Sequence, residues 1–273
     1  MAIVQELYVY PVKSARALPR ARARVGASGL EWDRHWMVVN AGGTFLSQRT
    51  HPRLALLTPE IREEQLVLEA PGLPALTLPL EPAGEPLTVR VWKDLCTGLD
   101  AGEPASEWLG RLLDETVRLV RVAPSMHRVA DRRYTGELTA PLAFPDGFPI
   151  LVCNQASLEE INARMTQRVP MERFRPNLVL AGLPAFAEDR IDTLHIGELT
   201  LRLVKPCVRC VIPSIDQRTG EPGINPTPAL RELRFNAVLR GVTFGENAVV
   251  HSGAGLTVER GAECEVRFQA APR

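Results

Sequence analysis

The sequence predicts an α+β protein in which strands outnumber helices, with a barrel-like or mixed antiparallel sheet. Three observations carry this expectation. Short apolar or alternating runs, separated by Pro, Gly and polar turns, fill about the first ninety residues. Helical spacing occurs in only a few isolated segments. Helices do not alternate regularly with strands, as a doubly wound parallel sheet requires.

Taken in order, runs at 3–10, 20–25, 36–39, 54–61, 66–69, 76–80 and 87–92 read as strands. Arg20, Arg22 and Arg24 alternate with Ala21, Ala23 and Val25, which sets three guanidiniums on one face. A solvated strand face is the simpler reading of that stripe, and an anion site is the other. Ala105, Trp108, Leu109, Leu112 and Leu113 recur at helical spacing behind Pro104, and 117–122 is another strand. The stretch 124–149 is rich in Arg, Pro, Gly and Asp and lacks periodicity, so it reads as a linker or functional loop. A boundary at its start divides the sequence into 1–122 and 123–273. Beyond it, 150–153 is a strand, and Ser157 with Glu160 forms a capping box ahead of Leu158, Ile161 and Met165. Further strands fall at 178–181, 199–204, 208–215, 248–250, 256–258 and 264–268, with a short helix at 228–234. Gly241 to Gly245 and Gly253 to Gly255 read as turns, and no dinucleotide fingerprint or phosphate loop is present.

Composition narrows the function. Hydrophobic residues make up 45% and charged residues 23%, which fits a folded globular chain and excludes wholesale disorder. Lys+Arg and Asp+Glu are both 32, so no global field draws in a nucleic-acid polymer or an anionic membrane, and any anion recognition is local. No run reaches signal-peptide or membrane-span length, so a cytoplasmic protein is expected. The five cysteines, Cys96, Cys153, Cys207, Cys210 and Cys264, do not form a disulfide framework, and thiols are expected.

The densest chemical signal is Lys205-Pro206-Cys207-Val208-Arg209-Cys210. A C-x-x-C pair admits half of a zinc site, a redox dithiol, or one soft thiolate ligand beside a structural neighbour. Zinc lacks partners, because His35, His51, His127, His195 and His251 are isolated. A redox dithiol usually opens a helix, whereas this segment looks extended. Residues three apart on a strand face opposite ways, so the two thiols converge only if the strand bulges. Lys205 and Arg209 supply positive charge favouring a thiolate. Other cations stand in Pro-rich or polar settings: Lys13-Ser14 after Tyr10-Pro11, Arg34 within Trp32-Asp33-Arg34-His35-Trp36, and Arg175-Pro176-Asn177 after Phe174. Each alone could equally be a surface ion pair.

YVYPVKS, GLEWDRHWMVVN, FPILVCNQASLEEIN, RFRPNLVLAG and KPCVRCVIPSIDQRTG follow one another, with FGENAVVHSGAGLTVERGAECEV as closing strands. In this order and spacing the chain resembles the MOSC family of molybdenum-cofactor proteins. The resemblance implies a strand-rich fold, with an N-terminal MOSC β-barrel-type domain followed by a MOSC β-barrel domain carrying a few helices. It implies that Cys210 binds molybdenum, that Cys207 is its structural neighbour, and that Lys13, Ser14, Arg34, Arg175 and Asn177 hold the phosphate and pterin. Asp146 and Asn154 fall in the stretch corresponding to a cofactor-lining loop. Gly147 and Phe148 depart from a Thr-Ser pair there, and Val208 replaces a Ser. The implied activity is a molybdenum-cofactor-dependent oxidoreductase that reduces hydroxylamines, amidoximes or N-hydroxy bases. Its electrons are expected from a separate flavin or iron–sulfur protein, since the four-cysteine cluster domain of some relatives is missing, and membrane attachment is not expected, since the anchor of others is missing. The alternative is a non-catalytic carrier of the cofactor, or of sulfur as a persulfide on the same thiol.

Overall fold

The computed structural model describes residues 1–270. Seven strands close a barrel in the order Ile150–Asn154, Leu178–Ala181, Ala2–Val9, Glu263–Phe268, Ile191–Ile196, Leu199–Val208 and Gly241–Ser252, and the last pairs back onto the first. Closure leaves the ring without a free edge. The one parallel pairing of the ring, Ile150–Asn154 with Leu178–Ala181, is spanned by a connection containing the helix Gln155–Asn162. This is the strand-rich, barrel-bearing α+β fold the sequence predicts.

Bulges set which side chains point inward. Val4 and Leu7 are both buried although three residues apart, because the pairing shifts register between Val4 and Glu6. The same device carries Leu199–Val208 past Pro206, with irregularities at Leu203/Lys205 and at Pro206/Val208. Proline, lacking an N–H, is tolerated at such a bulge. The strand therefore runs four residues beyond the expected end at 204. The predicted strand at 208–215 is not formed: the chain leaves the sheet after Val208 and makes a 3₁₀ turn at Ile212–Ser214 around Pro213.

Ala2–Val9 lies before the sequence boundary at 122, yet it is a wall of the barrel between Leu178–Ala181 and Glu263–Phe268. The division into 1–122 and 123–273 remains a proposal about sequence units, since the barrel draws on both. The intervening residues build a four-stranded sheet, ordered Trp36–Asn40, Val117–Val122, Asp94–Asp100 and Pro86–Val91, and a meander of Thr58–Arg62, Gln65–Glu69 and Leu76–Pro79. The helix Glu103–Leu113 begins with Pro104 in its first turn and buries Ala105, Trp108, Leu109 and Leu112 against this part, as its spacing predicts. Trp32 packs against both this core and the barrel core.

Other local expectations need correction. Pro52–Leu56 is a 3₁₀ turn, and the strand read at 54–61 starts only at Thr58. Ser157 is not an N-cap. The cap is Asn154, whose side chain accepts from the Ala156 N–H, while Ser157 Oγ donates to the buried Glu188 and accepts from Phe186 N. Gly241 and Gly245 lie inside the long strand Gly241–Ser252. Asp94–Asp100 and Ile191–Ile196 are strands that apolar patterning missed, since each carries charge or glycine at alternate or central positions.

Gly245 is where the closing strand needs glycine: its φ is +74°, and a Cβ there would meet Cys153 Sγ at 2.6 Å and Val152 O at 2.8 Å. Gly245→Ala should cost roughly 2–4 kcal/mol through backbone strain and overpacking. Gly197→Ala, at φ +57° with nothing within 4 Å, should lose only the backbone part, about 1 kcal/mol. Urea unfolding of both variants measures the difference, and equal losses would contradict the close approach.

Candidate functional site

One cavity is lined by Lys13, Ser14, Arg34, Arg175, Asn177 and Cys210, the six residues singled out in the sequence. Arg49, Asp146, Cys207, Arg209 and Asn247 complete its polar wall. A chain of zero net charge has thus gathered five cations around one carboxylate, which favours an anionic occupant.

Three backbone turns aim these groups. Ser14, Arg34 and Arg175 have φ of 67°, 53° and 58°, a left-handed conformation that non-glycine residues seldom adopt. Such strain gathers at functional sites, where the surrounding structure over-determines it. Arg175 caps the 3₁₀ turn Met171–Phe174, and its N–H bonds Glu172 O. Arg34 ends the turn after Leu30, with its N–H bonded to Tyr10 O.

Asn177 organises the interior end of the site. Its Nδ2 donates to Tyr8 O at 3.2 Å and to Asp33 Oδ1 at 2.9 Å, and its Oδ1 accepts from Arg34 Nη1 and Leu151 N, both at 3.1 Å. Two donors and two acceptor positions are all used, so Asn177 acts by positioning its neighbours. Asp33 is buried, and burial raises its carboxyl pKa against Arg34, the Tyr10 N–H and Asn177, which pull it down. Arg34 Nη1 meets Asp33 Oδ2 at 2.5 Å. Removing one member of such a pair would strand a buried charge at a cost of about 3–5 kcal/mol. The Arg34 and Arg175 guanidiniums lie 4.2 and 4.3 Å from the centroid of the buried Tyr10 ring.

Lys13 is 5% exposed and donates to Phe144 O at 2.8 Å and Asp146 Oδ1 at 2.5 Å. Burial pulls its ammonium down to about 8, with Asp146 opposing. Burial acts to raise the half-exposed Asp146 carboxyl, but Lys13 and Arg49 hold it well below the usual carboxylate range. Burial likewise lowers Arg49, yet Asp146 and Cys210 outweigh it and hold the guanidinium above its ordinary value. Burial brings Arg175 down to about 10. Its Nη1 donates to Ala15 O, while its buried Nη2 has no hydrogen-bond partner among the described residues. An unpaired buried guanidinium nitrogen in a cavity wall leaves a donor for an acceptor-rich ligand.

The thiols separate by environment. Cys96, Cys153 and Cys264 are buried, and burial raises all three, Cys264 up to about 12. Cys207 and Cys210 are half-buried and face the same cavity. The expectation of opposite faces fails because the strand bulges at Pro206/Val208 and ends there, leaving Cys210 beyond the sheet. Arg209 Nη1 donates to Cys207 Sγ at 3.0 Å and its Nη2 to Phe174 O at 2.7 Å. Lys205 is outside the cavity lining, with its Nζ over the Tyr134 ring at 4.5 Å. Asn154 is also outside, engaged as helix cap and by donating to Pro184 O. Arg49, which sequence reasoning missed, arrives from a turn without any motif. Among the described residues no three or more of His, Cys, Asp and Glu cluster to hold a metal ion. A metal at Cys210 would take its other ligands from a cofactor or from solvent.

A β-barrel with an adjoining cation-lined, thiol-bearing cavity defines the class, and comparison gives the family. Residues 1–116 match the MOSC N-terminal beta barrel domain and residues 139–265 the MOSC domain. The chain belongs to the MOSC family. It is 35% identical over 226 residues to mitochondrial amidoxime-reducing component 1 of Mus musculus, covering 80% of this chain and 66% of that protein. It is 34% identical to mitochondrial amidoxime reducing component 2 of Homo sapiens, with 80% and 68% covered. It is 31% identical over 261 residues to the molybdenum cofactor sulfurase of Bos taurus, covering 88% of this chain and 30% of that protein. The chain thus spans about two thirds of the amidoxime-reducing relatives and under a third of the sulfurase.

The cationic wall predicts a pH response. Lys13 loses its proton as pH rises through about 8, so affinity for an anion falls across that range. Titration calorimetry with inorganic phosphate at pH 7.5 and 9.5, where phosphate stays largely dianionic, should show several-fold weaker binding at the higher pH. Lys13→Met should bind weakly at both. A wild-type affinity that does not change, together with wild-type binding in Lys13→Met, would show that Lys13 is not part of the anion site.

Proposed function

We propose that this cavity binds the molybdenum cofactor and that the protein reduces N-hydroxylated compounds. What supports the reading is a single observation: Cys210 shares one cavity with Lys13, Ser14, Arg34 and Arg175. A soft thiolate suits a molybdenum ion already carrying sulfur ligands, and cationic forks with a hydroxyl suit a phosphate dianion. The unpartnered Arg175 Nη2 gives that donor set an open valence. In this reading Cys210 is the protein ligand to the metal. Lys13, Ser14, Arg34 and Arg175 hold the phosphate and pterin, and Asn177 keeps Arg34 in place. Cys207, bonded by Arg209, is the structural neighbour.

When bound, the cofactor supplies two-electron chemistry and a site for a departing oxygen. The overall change at the reacting nitrogen is N–OH + 2 e⁻ + 2 H⁺ → N–H + H₂O, with hydroxylamines, amidoximes and N-hydroxy bases as the substrate class. The electrons come from a separate flavin or iron–sulfur protein. The relatives named amidoxime-reducing components favour this activity. Among the described residues no helix is long and apolar enough to cross a membrane. We place the protein in the cytoplasm, acting on small molecules, with neither a membrane nor a nucleic-acid polymer as partner.

A second reading, a carrier of the cofactor or of sulfur as a persulfide on Cys210, is favoured by the match to the cofactor sulfurase across 88% of this chain. Purification from a cofactor-sufficient host decides between them. Bound molybdenum near stoichiometry, with benzamidoxime reduction under an artificial electron donor, is the expected result, and Cys210→Ala should abolish the reduction. A persulfide on Cys210 without molybdenum or turnover would establish the carrier, and full activity in Cys210→Ala would overturn the assignment of the ligand.

A further inference from the structure

Trp92 occupies the turn between Pro86–Val91 and Asp94–Asp100, a hairpin in which Val91 pairs with Asp94. Two-residue turns of this kind favour Asn or Gly, because they require positive φ. Trp92 instead takes φ 57° with its bulky ring 47% exposed. Neither local conformation nor burial explains a tryptophan here.

Its neighbours supply an explanation. The Arg49 guanidinium lies 4.7 Å from the Trp92 ring centroid, and Phe45 meets that ring edge-on at 5.0 Å. Phe45 in turn carries Lys13 Nζ at 5.1 Å from its centroid. Lys13 and Arg49 both reach Asp146, at 2.5 and 3.0 Å. Five side chains thus close a ring of contacts, Trp92–Arg49–Asp146–Lys13–Phe45 and back to Trp92. Lys13, Arg49 and Asp146 line the cavity that holds Cys210, Phe45 and Trp92 stand just behind that lining, and Arg49 is in electrostatic reach of the sulfur. Close to Cys210, Val208 and Val211 are 42% and 52% exposed, and Val208 lines the same cavity. The floor is cationic, while the surroundings present an exposed indole and exposed valines.

We infer that Trp92, fixed by Arg49 and Phe45, is a stacking platform that selects N-hydroxylated substrates with a planar, aromatic or heteroaromatic body. This rests on the reductase reading above and specifies its substrate class. The ring of contacts fixes the indole against Arg49 of the cavity wall, so a flat substrate stacked on its exposed face lies beside the cavity that holds Cys210. Because stacking needs only a π-face, the platform tolerates different rings but gains little from an aliphatic body. Trp92 is a specificity residue in this account and takes no part in bond breaking.

Benzamidoxime and acetamidoxime share a reacting group and differ in the ring, so they isolate this contribution. In the molybdenum-loaded protein, Trp92→Ala should raise the ratio of KM for benzamidoxime to KM for acetamidoxime by roughly three- to tenfold. Trp92→Phe should restore most of it, at unchanged molybdenum content. Independently of turnover, benzamidoxime should quench tryptophan emission in the wild type and leave Trp92→Phe unquenched. An unchanged KM ratio together with equal quenching in both proteins overturns the platform. Absence of turnover with either amidoxime overturns the reductase reading instead, and the quenching then decides the platform alone.

Discussion

The geometry of the cavity depends on the hydrogen bonds of one buried amide. Asn177 joins the backbone of the barrel strands at Tyr8 and Leu151 to the Asp33–Arg34 pair, and so holds the turn of the N-terminal segment against the barrel. A buried side chain with every position filled has one orientation, and it passes that orientation to what it touches. Arg34 is thereby aimed, and its Nη2 reaches the Arg175 carbonyl, so the two left-handed arginines are set relative to one another. The positive φ values at Ser14, Arg34 and Arg175 are the conformational cost of bringing three segments, distant in sequence, to one point.

Charge is handled in the same economical way. Five cations near one another would repel, and the structure offsets them with a half-exposed carboxylate, Asp146, and a buried one, Asp33. Lys13 carries a lowered pKa, chiefly from burial, with Arg128 and Arg34 adding to it and Asp146 opposing. Arg175 keeps an unpaired donor. The site is therefore incompletely neutralised, as expected of a cavity whose occupant brings negative charge. The balance sits where the end of the strand Leu199–Val208 releases Cys210 from the sheet.

Much of the fold was legible in the sequence because it obeys simple periods: Ala105 to Leu113 at helical spacing, and short alternating runs for most strands. The strand boundaries misread after 199 share a cause. Period-two reasoning assumes an unbroken ladder, whereas bulges at Val4/Glu6, Leu203/Lys205 and Pro206/Val208 change phase and let proline stay in a strand. Ser157 and Glu160 imitate a capping box, but the chain enters the helix three residues earlier at Asn154, because Ser157 is committed to Glu188. Cys210 was legible as one of two candidate thiols in the C-x-x-C pair, whereas Lys13, Ser14, Arg34, Arg175 and Asn177 were legible only as a set of family motifs, since none stands out alone. Arg49 and Trp92 carry no such motif. Their place follows from long-range pairing, including the bridge between Thr44 and Arg90, that brings two turns together.

The central claim, that Cys210 supplies a sulfur ligand within this cationic cavity, is tested most directly by X-ray absorption at the molybdenum edge. The wild-type protein and Cys210→Ser, both purified with bound molybdenum, should differ by one sulfur scatterer, which an oxygen or nitrogen scatterer replaces in the variant. Identical sulfur shells in the two proteins would contradict the account.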